Sequence, residues 1–485
     1  VPAFAMAATW INALNNRGII MNKGASILNK TFIFLNYVVN GNSCMYFELD
    51  KPLDTGVLQR ALEILVEQHP LLNCRLAKTL LGYGWRTDPQ LGAIKLQCQA
   101  METADKGEIL DRLCDNAWQR PFSLFKERHL RAYYLQTPKH CYVQLVPNHI
   151  LADARSSDLL MAELAHIYDQ LSKSKPISLQ EMDVSQGYSL DSTALFARDL
   201  SFSKTLQMYL SALANIVVDA FRPQSGIAIA PRGRKSRKRG ATRVLTKELD
   251  EVLIENMKSR LKPKGFTIHP ALVLSVLRSV ETYNARRNKA TPIIRVSDMF
   301  SLAPFAQEDL TNVYDCFVVP FTSYYEMGGD DMGMLGAIRD EIAYFKKGGI
   351  LRELFRQNIY TITGALSPKK LATQLVTRFI AKSNIVISNP GQVKFDIPDF
   401  GDAKIVSYTS FSQLFPPARI FFLFSGFRGK LRLNILYDEN AFTAEEIEQE
   451  IYASFAIQLQ QILKALGENA APQIGKTHPE EVVFN

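Results

Sequence analysis

A strand-turn-strand-helix run in the first third of the chain restricts the folds open to it. Leu130–Gln136 and Cys141–Val146 have the apolar and aromatic composition of strands, and Thr137-Pro138-Lys139-His140 between them reads as a hairpin turn. The second strand ends at Pro147. A helical pattern then runs from Ser157 to Leu171, with Leu160, Leu164 and Ile167 on one face. Ser156 or Ser157 is the expected cap of that helix, and Asp158 suits its positive end. Between strand and helix stand Asn148, His149, Asp153 and Ala154. An imidazole delivered from a strand end has its backbone fixed while its ring reaches into a cleft. Its ordinary pKa of about 6.5 lets it take a proton at neutral pH. Asp153 abuts the turn into the helix, which favours a structural role, bonded to backbone or to an arginine.

The same alternation of strands and helices extends through the chain and predicts an α/β (α+β) protein with mixed sheets flanked by helices. At 485 residues, two domains of ordinary size are expected. In the first, Asp54 caps a helix carrying Leu58, Leu62, Leu65 and Val66 that stops at His69-Pro70, with His69 as a packing residue. The second begins near Thr242. It is predicted to contain helices over Lys247–Leu261, Phe266–Tyr283 and Asp330–Lys347, and a helix closing at Gln374–Phe379. Its strands are expected at Ile293–Phe300, Cys316–Tyr325 and Ile385–Ser388, with a hairpin over Ile420–Tyr437 and a terminal helix over Thr443–Leu466. Asn389-Pro390-Gly391 is a turn by composition. The expected division is therefore an N-terminal lobe over 1–180, a helical bridge with a basic loop over 181–240, and a C-terminal lobe over 241–485.

Composition narrows the function classes. The six cysteines are scattered without C-x-x-C pairs, which fits buried reduced thiols in a cytoplasmic protein and neither a disulfide framework nor a metal site. Val1-Pro2-Ala3 lacks a basic leader, the next residues suggest a short helix over Phe4–Leu14, and no secretory signal is expected. The most apolar helix candidate, Leu206–Phe221, is broken by Asn215 and Asp219 and too short to span a bilayer. Arg232, Arg234, Lys235, Arg237, Lys238, Arg239 and Arg243 account for nearly all of the formal net charge of +8. Such a run is either a solvated loop or a dock for an anion: a CoA phosphate, an acidic carrier protein, or an anionic membrane touched peripherally. It has no interleaved aromatics, so nucleic acid is not an expected partner.

The run Asn148-His149-Ile150-Leu151-Ala152-Asp153-Ala154, followed by Glu163-Leu164 and Tyr168, resembles the H-H-x-x-x-D-G and E-L-x-x-x-Y motifs of the condensation-domain and chloramphenicol acetyltransferase-like acyltransferase superfamily. Leu53-Asp54, Ala61-Leu62 and Gln68-His69-Pro70-Leu71 resemble its opening helix, and the likeness runs over about residues 30 to 466. The resemblance implies two similar lobes leaning together as a V, with a tunnel at their interface. Donor and acceptor would enter from opposite faces. His149 would be the general base moving an acyl group from a CoA or carrier-protein thioester to a hydroxyl or amine, with Asp153 as its structural partner. Asn148, Ala154, Ser388, Asn389 and Gly391 would line the substrate site, without cofactor or metal, in a monomer. Three positions depart from the pattern. Asn148 replaces the first histidine, Ala154 replaces a glycine, and Ser301-Leu302-Ala303-Pro304-Phe305 lacks the arginine expected after the Ile293–Phe300 strand. Arg295 or Arg155 could take that arginine's place beside Asp153. If neither does, the rival reading is a catalytically silent module that binds an acyl chain or a carrier protein.

Overall fold

Ser43–Leu49 and Cys141–Pro147 are buried along their whole length, as strands covered on both faces must be. They sit side by side near the middle of the first sheet in a computed structural model of the chain. The structure describes residues 22–24, 27–36, 40–79, 82–175, 200–222, 225–229, 239–306, 309–310, 313–366 and 383–467. The expected helices at Phe4–Leu14 and Gln374–Phe379 lie outside these residues.

In chain order the first lobe contains β1 (Asn22–Gly24), α1 (Ile27–Asn36), β2 (Ser43–Leu49), α2 (Thr55–Gln68), β3 (Cys74–Thr79), β4 (Gly82–Thr87), β5 (Leu96–Ala100), α3 (Lys106–Trp118), β6 (Leu130–Gln136), β7 (Cys141–Pro147) and α4 (Ala154–Ser172). Next come α5 (Phe202–Phe221), β8 (Thr242–Leu249), α6 (Glu251–Leu261), α7 (Ile268–Ala285), β9 (Ile293–Ser301), β10 (Val318–Glu326), α8 (Asp331–Tyr344) and α9 (Ile350–Leu366). The chain ends with β11 (Ile385–Gln392), β12 (Ile405–Ser412), β13 (Ile420–Phe427), β14 (Lys430–Asp438) and α10 (Ala453–Gly467).

The first lobe's main sheet has five strands in the order β12-β2-β7-β6-β5, and a small sheet of β1, β4 and β3 stands apart from it. The second lobe's sheet has six, in the order β10-β9-β11-β13-β14-β8. The lobe boundary is therefore not clean. β12 belongs by sequence to the second lobe but pairs antiparallel with β2, Tyr408 opposite Phe47. That strand was not among those expected from the sequence.

Strand alternation explains how the lobes share a core. On β13, Ile420, Phe422 and Phe424 face the second lobe's helices, packing with Leu272, Val276 and Phe455. Phe421 and Leu423, on the opposite face, join the first lobe's core. Among the boundaries that differ from expectation, two are set by caps. α6 starts at Glu251 because Asp250 caps it and Thr246 to Leu249 pair with β14. α4 starts at Ala154, since the cap is Asp153 and not Ser156 or Ser157.

Candidate active site at the lobe interface

His149 is placed by its backbone. β7 runs out at Pro147, Asn148 bridges to Asn42, and the His149 N–H donates to the Gly41 carbonyl at 2.7 Å. A side chain at Gly41 would collide with Asn36, so glycine permits this close approach. The His149 ring stacks on Phe32 of α1, with centroids 4.4 Å apart and planes within 10°. Phe415 meets it edge-on at 6.0 Å. Nδ1 lies 3.7 Å from Cys316 Sγ, and among the described residues no protein group hydrogen-bonds to Nε2. Burial lowers the imidazole pKa, opposed by its own backbone carbonyl and the Asp153 carboxylate. The ring is thus neutral at pH 7, the form a general base requires.

This ring lines a cavity that opens to solvent. Phe32, Ser43, Ala154 and Ser157 line it from the first lobe, and Ser297, Met299, Val386, Ser388, Phe421 and Leu423 from the second. The segment Ser410–Ala418, leaving β12, covers one side. The wall is mostly carbon, with serine hydroxyls spaced along it. That lining is chemically suited to an aliphatic chain with a polar end.

Asp153 does not touch the imidazole by hydrogen bond. Its Oδ1 accepts from the Ser156 N–H at 2.9 Å, capping α4, and its Oδ2 accepts from the Phe317 N–H at 3.0 Å. Phe317 belongs to the second lobe, so one carboxylate ties together the corner carrying His149 and the opposite lobe. Neither candidate arginine partners it. Arg155 donates to the Leu310 and Val313 carbonyls, and Arg295 is wholly buried against the Tyr324 ring at 5.1 Å. A backbone N–H stands where the family pattern led us to expect a guanidinium. Around it, Ser156 Oγ donates to the Asp315 carbonyl at 2.5 Å, and Asn29 Nδ2 donates to Asp315 Oδ1 at 2.8 Å. Burial raises the Asp315 pKa to about 7, with the Asn29 and Cys316 donors opposing.

The other expected site residues divide. Ala154 and Ser388 line the cavity. Ala154 opens α4 with helical backbone, so that position needs no positive φ. Asn148 is a correction: it is fully buried, bonded to Asn36 and Asn42, and fixes the turn that holds His149 without reaching the cavity. Asn389 and Gly391 are a second correction. Asn389 Oδ1 accepts from the Gly391 N–H at 3.1 Å at an irregularity inside β11, so the strand continues through the expected turn, and neither residue is on the cavity wall. Of the basic run, Arg232, Arg234, Lys235, Arg237 and Lys238 lie outside the described residues. Arg239 is no docking cation, since it donates to the Leu414 carbonyl, and burial lowers its pKa to about 10. His69 is buried beside Glu163, as a packing residue should be. All six cysteines are free, only Cys98 being exposed. Sequence reasoning missed Phe32, Phe415 and Cys316 around the imidazole. No spacing rule links residues so far apart, and the Phe317 donor is backbone, which no sequence displays.

Known proteins match part of the first lobe in sequence and share the two-lobed fold. Residues 41–191 match the family described as Condensation domain. The chain resembles a linear gramicidin synthase of Brevibacillus parabrevis, 26% identical over 153 residues, which is 30% of this chain and only 3% of that protein. The first condensation domain of the CDA synthetase superposes with a TM-score of 0.69 at 14% identity, covering 93% of this chain and 97% of that one. A trichothecene 15-O-acetyltransferase from Fusarium sporotrichioides superposes at 0.66 and 10% identity, covering 92% and 94%. This is the condensation-domain fold. Among the described residues no cluster of histidine, cysteine and carboxylate side chains could hold a metal ion. No described helix is long and apolar enough to cross a membrane.

Proposed function

We propose that this chain is an acyltransferase that moves an acyl group from a CoA or carrier-protein thioester to a hydroxyl or an amine, with His149 as general base. The observation carrying this reading is the His149 ring, neutral at pH 7 and half-buried on the wall of a cavity that both lobes enclose. Nε2 takes the acceptor's proton as its oxygen or nitrogen attacks the thioester carbonyl, and returns it to the departing thiolate. Positioned base catalysis of this kind contributes on the order of 10²–10⁴ in rate. The start of α4 at Ala154, on the cavity wall, presents the positive end of a helix to the developing oxyanion. Asp153 holds this corner against the second lobe and does not handle the proton. The departure that favoured a silent module, the missing arginine, is met by the Phe317 N–H, so the corner stays fastened.

The test is product formation, by mass spectrometry, from acyl-CoA and acyl-carrier thioesters offered with alcohol and amine panels. The O-acetyltransferase among the structural neighbours makes alcohols the first choice. Product formed by the native chain and lost in His149→Ala supports the reading. No product from any pair, with acyl-CoA still binding, supports the silent module instead.

A further inference from the structure

Helix α5 leaves its longest apolar stripe uncovered. Phe202, Leu206, Leu210, Leu213, Val217 and Phe221 recur at intervals of three and four residues and form one stripe along its 20 residues. The whole stripe is exposed, Phe202 by 84% and Phe221 by 85%. The inward face is mixed, with buried Ala212 and half-buried Met208 and Ile216 beside polar groups. Tyr209 packs edge-on against Phe355 of α9 at 4.6 Å, and Asp219 pairs with Arg356 at 3.1 Å and accepts from Tyr324 Oη at 3.1 Å. A water-exposed helix ordinarily covers its apolar stripe, and an apolar strip about 30 Å long exceeds the scattered apolar residues normal on a surface.

Charge decides what covers it. Along α5 and its C-terminal cap there are two cationic side chains, Lys204 and Arg222, against a single carboxylate, Asp219, which is buried on the inner face. Lys204 and Arg222, near the two ends of the stripe, are exposed. A second copy meeting this face symmetrically would set the same two cations against their own. An anionic lipid surface answers both features, taking apolar side chains into its acyl boundary and cations at its headgroups.

We propose that α5 lies in the plane of an anionic membrane, with Phe202, Leu206, Leu210, Leu213, Val217 and Phe221 inserted at the headgroup boundary. α5 packs on α9, whose Gln357, Tyr360 and Thr361 line the cavity, so the docked bilayer lies one helix away from the acyl site. The inference goes beyond the transferase reading and is tested without turnover. The full chain is floated with vesicles of phosphatidylcholine alone, or of phosphatidylcholine with phosphatidylglycerol, across a range of salt. The native chain should float with the anionic vesicles, less with the neutral ones, and progressively less as salt rises. Leu206→Ser/Leu210→Ser/Phe221→Ser should lower partitioning at least tenfold with an unchanged unfolding midpoint, because these side chains are exposed. Failure of the native chain to float, or equal flotation of the triple variant, overturns the proposal. So does a concentration-dependent dimer, seen by sedimentation and abolished by the triple variant, with no vesicle binding.

Discussion

The two walls of the cavity are built from similar parts and do different work. On the first-lobe wall, β7 ends in a turn that presents an imidazole, and α4 begins with a carboxylate cap. On the second-lobe wall, β9, β11 and β13 present Ser297, Met299, Val386, Ser388, Phe421 and Leu423, none of which titrates in the physiological range. On the proposed reading, one wall would carry the proton and the other would set the shape of what approaches it. They are joined by residues 313–317, whose backbone serves Asp153, Ser156 and Arg155 of the first lobe. Where chemistry and shape sit on separate walls, each should be alterable without the other, while damage to the joint should harm both.

The largest expected effect is on the chemical wall. His149→Ala should lower kcat by roughly 10²–10⁴-fold, with a separate and smaller cost in stability from the lost Phe32 stacking. In the native chain the acid limb of kcat/KM should fall at a pH below the ordinary imidazole value of about 6.5, because burial holds the His149 pKa down. A limb at or above that value would mean a different base. Next comes the joint. An amide at Asp153→Asn has one oxygen for two N–H groups, so either Ser156 or Phe317 faces an NH₂ and loses its acceptor. The expected cost is about 1–3 kcal/mol in chemical denaturation. A rate loss with full stability would instead place Asp153 in the chemistry.

Much of the chemical wall was legible in the sequence because it is local. His149, Asp153 and the start of α4 fall within a few residues, and strand, turn and helix signals fix their order. The structural role of Asp153 followed from its place before a helix, although the serines beside it were mistaken for the cap. The second wall was barely legible. Ser388 came from a motif likeness, while its neighbours Asn389 and Gly391 turn away from the cavity, because an Asn-Pro-Gly turn and an irregular strand look alike in one dimension. β12 was not among the expected strands, and its pairing with β2, far back in the chain, leaves no local signal. The partner of Asp153 could not be found by searching for arginines, since backbone supplied it.

A smaller effect tests the joint from its other side. Asp315 has a pKa raised to about 7, above the carboxylate's unfolded value of about 3.9. The folded chain therefore binds the proton more readily than the unfolded one. The resulting stabilisation is complete below about pH 3.9 and is lost as pH rises through about 7. Asp315→Asn should flatten the fall in denaturation free energy between mildly acidic and mildly alkaline pH, by an amount on the order of a few kcal/mol at most. An unchanged slope would mean that the lobes are not joined through a protonated Asp315.

The smallest effect isolates the shaping wall. Ser388 lines the cavity from β11, and nothing hydrogen-bonded to its side chain connects it to the His149 corner among the described residues. Ser388→Leu puts several carbon atoms into the space an acyl chain would occupy. A pocket discriminates by roughly 1–3 kcal/mol per methylene gained or lost, so longer acyl donors should lose on the order of tenfold in kcat/KM relative to the shortest. The acid limb should not move, because the imidazole, Phe32, Phe415 and Asp153 are untouched. A matching shift of the acid limb would show that the second wall also sets the electrostatics of the base, and the separation of shape from proton transfer would fail.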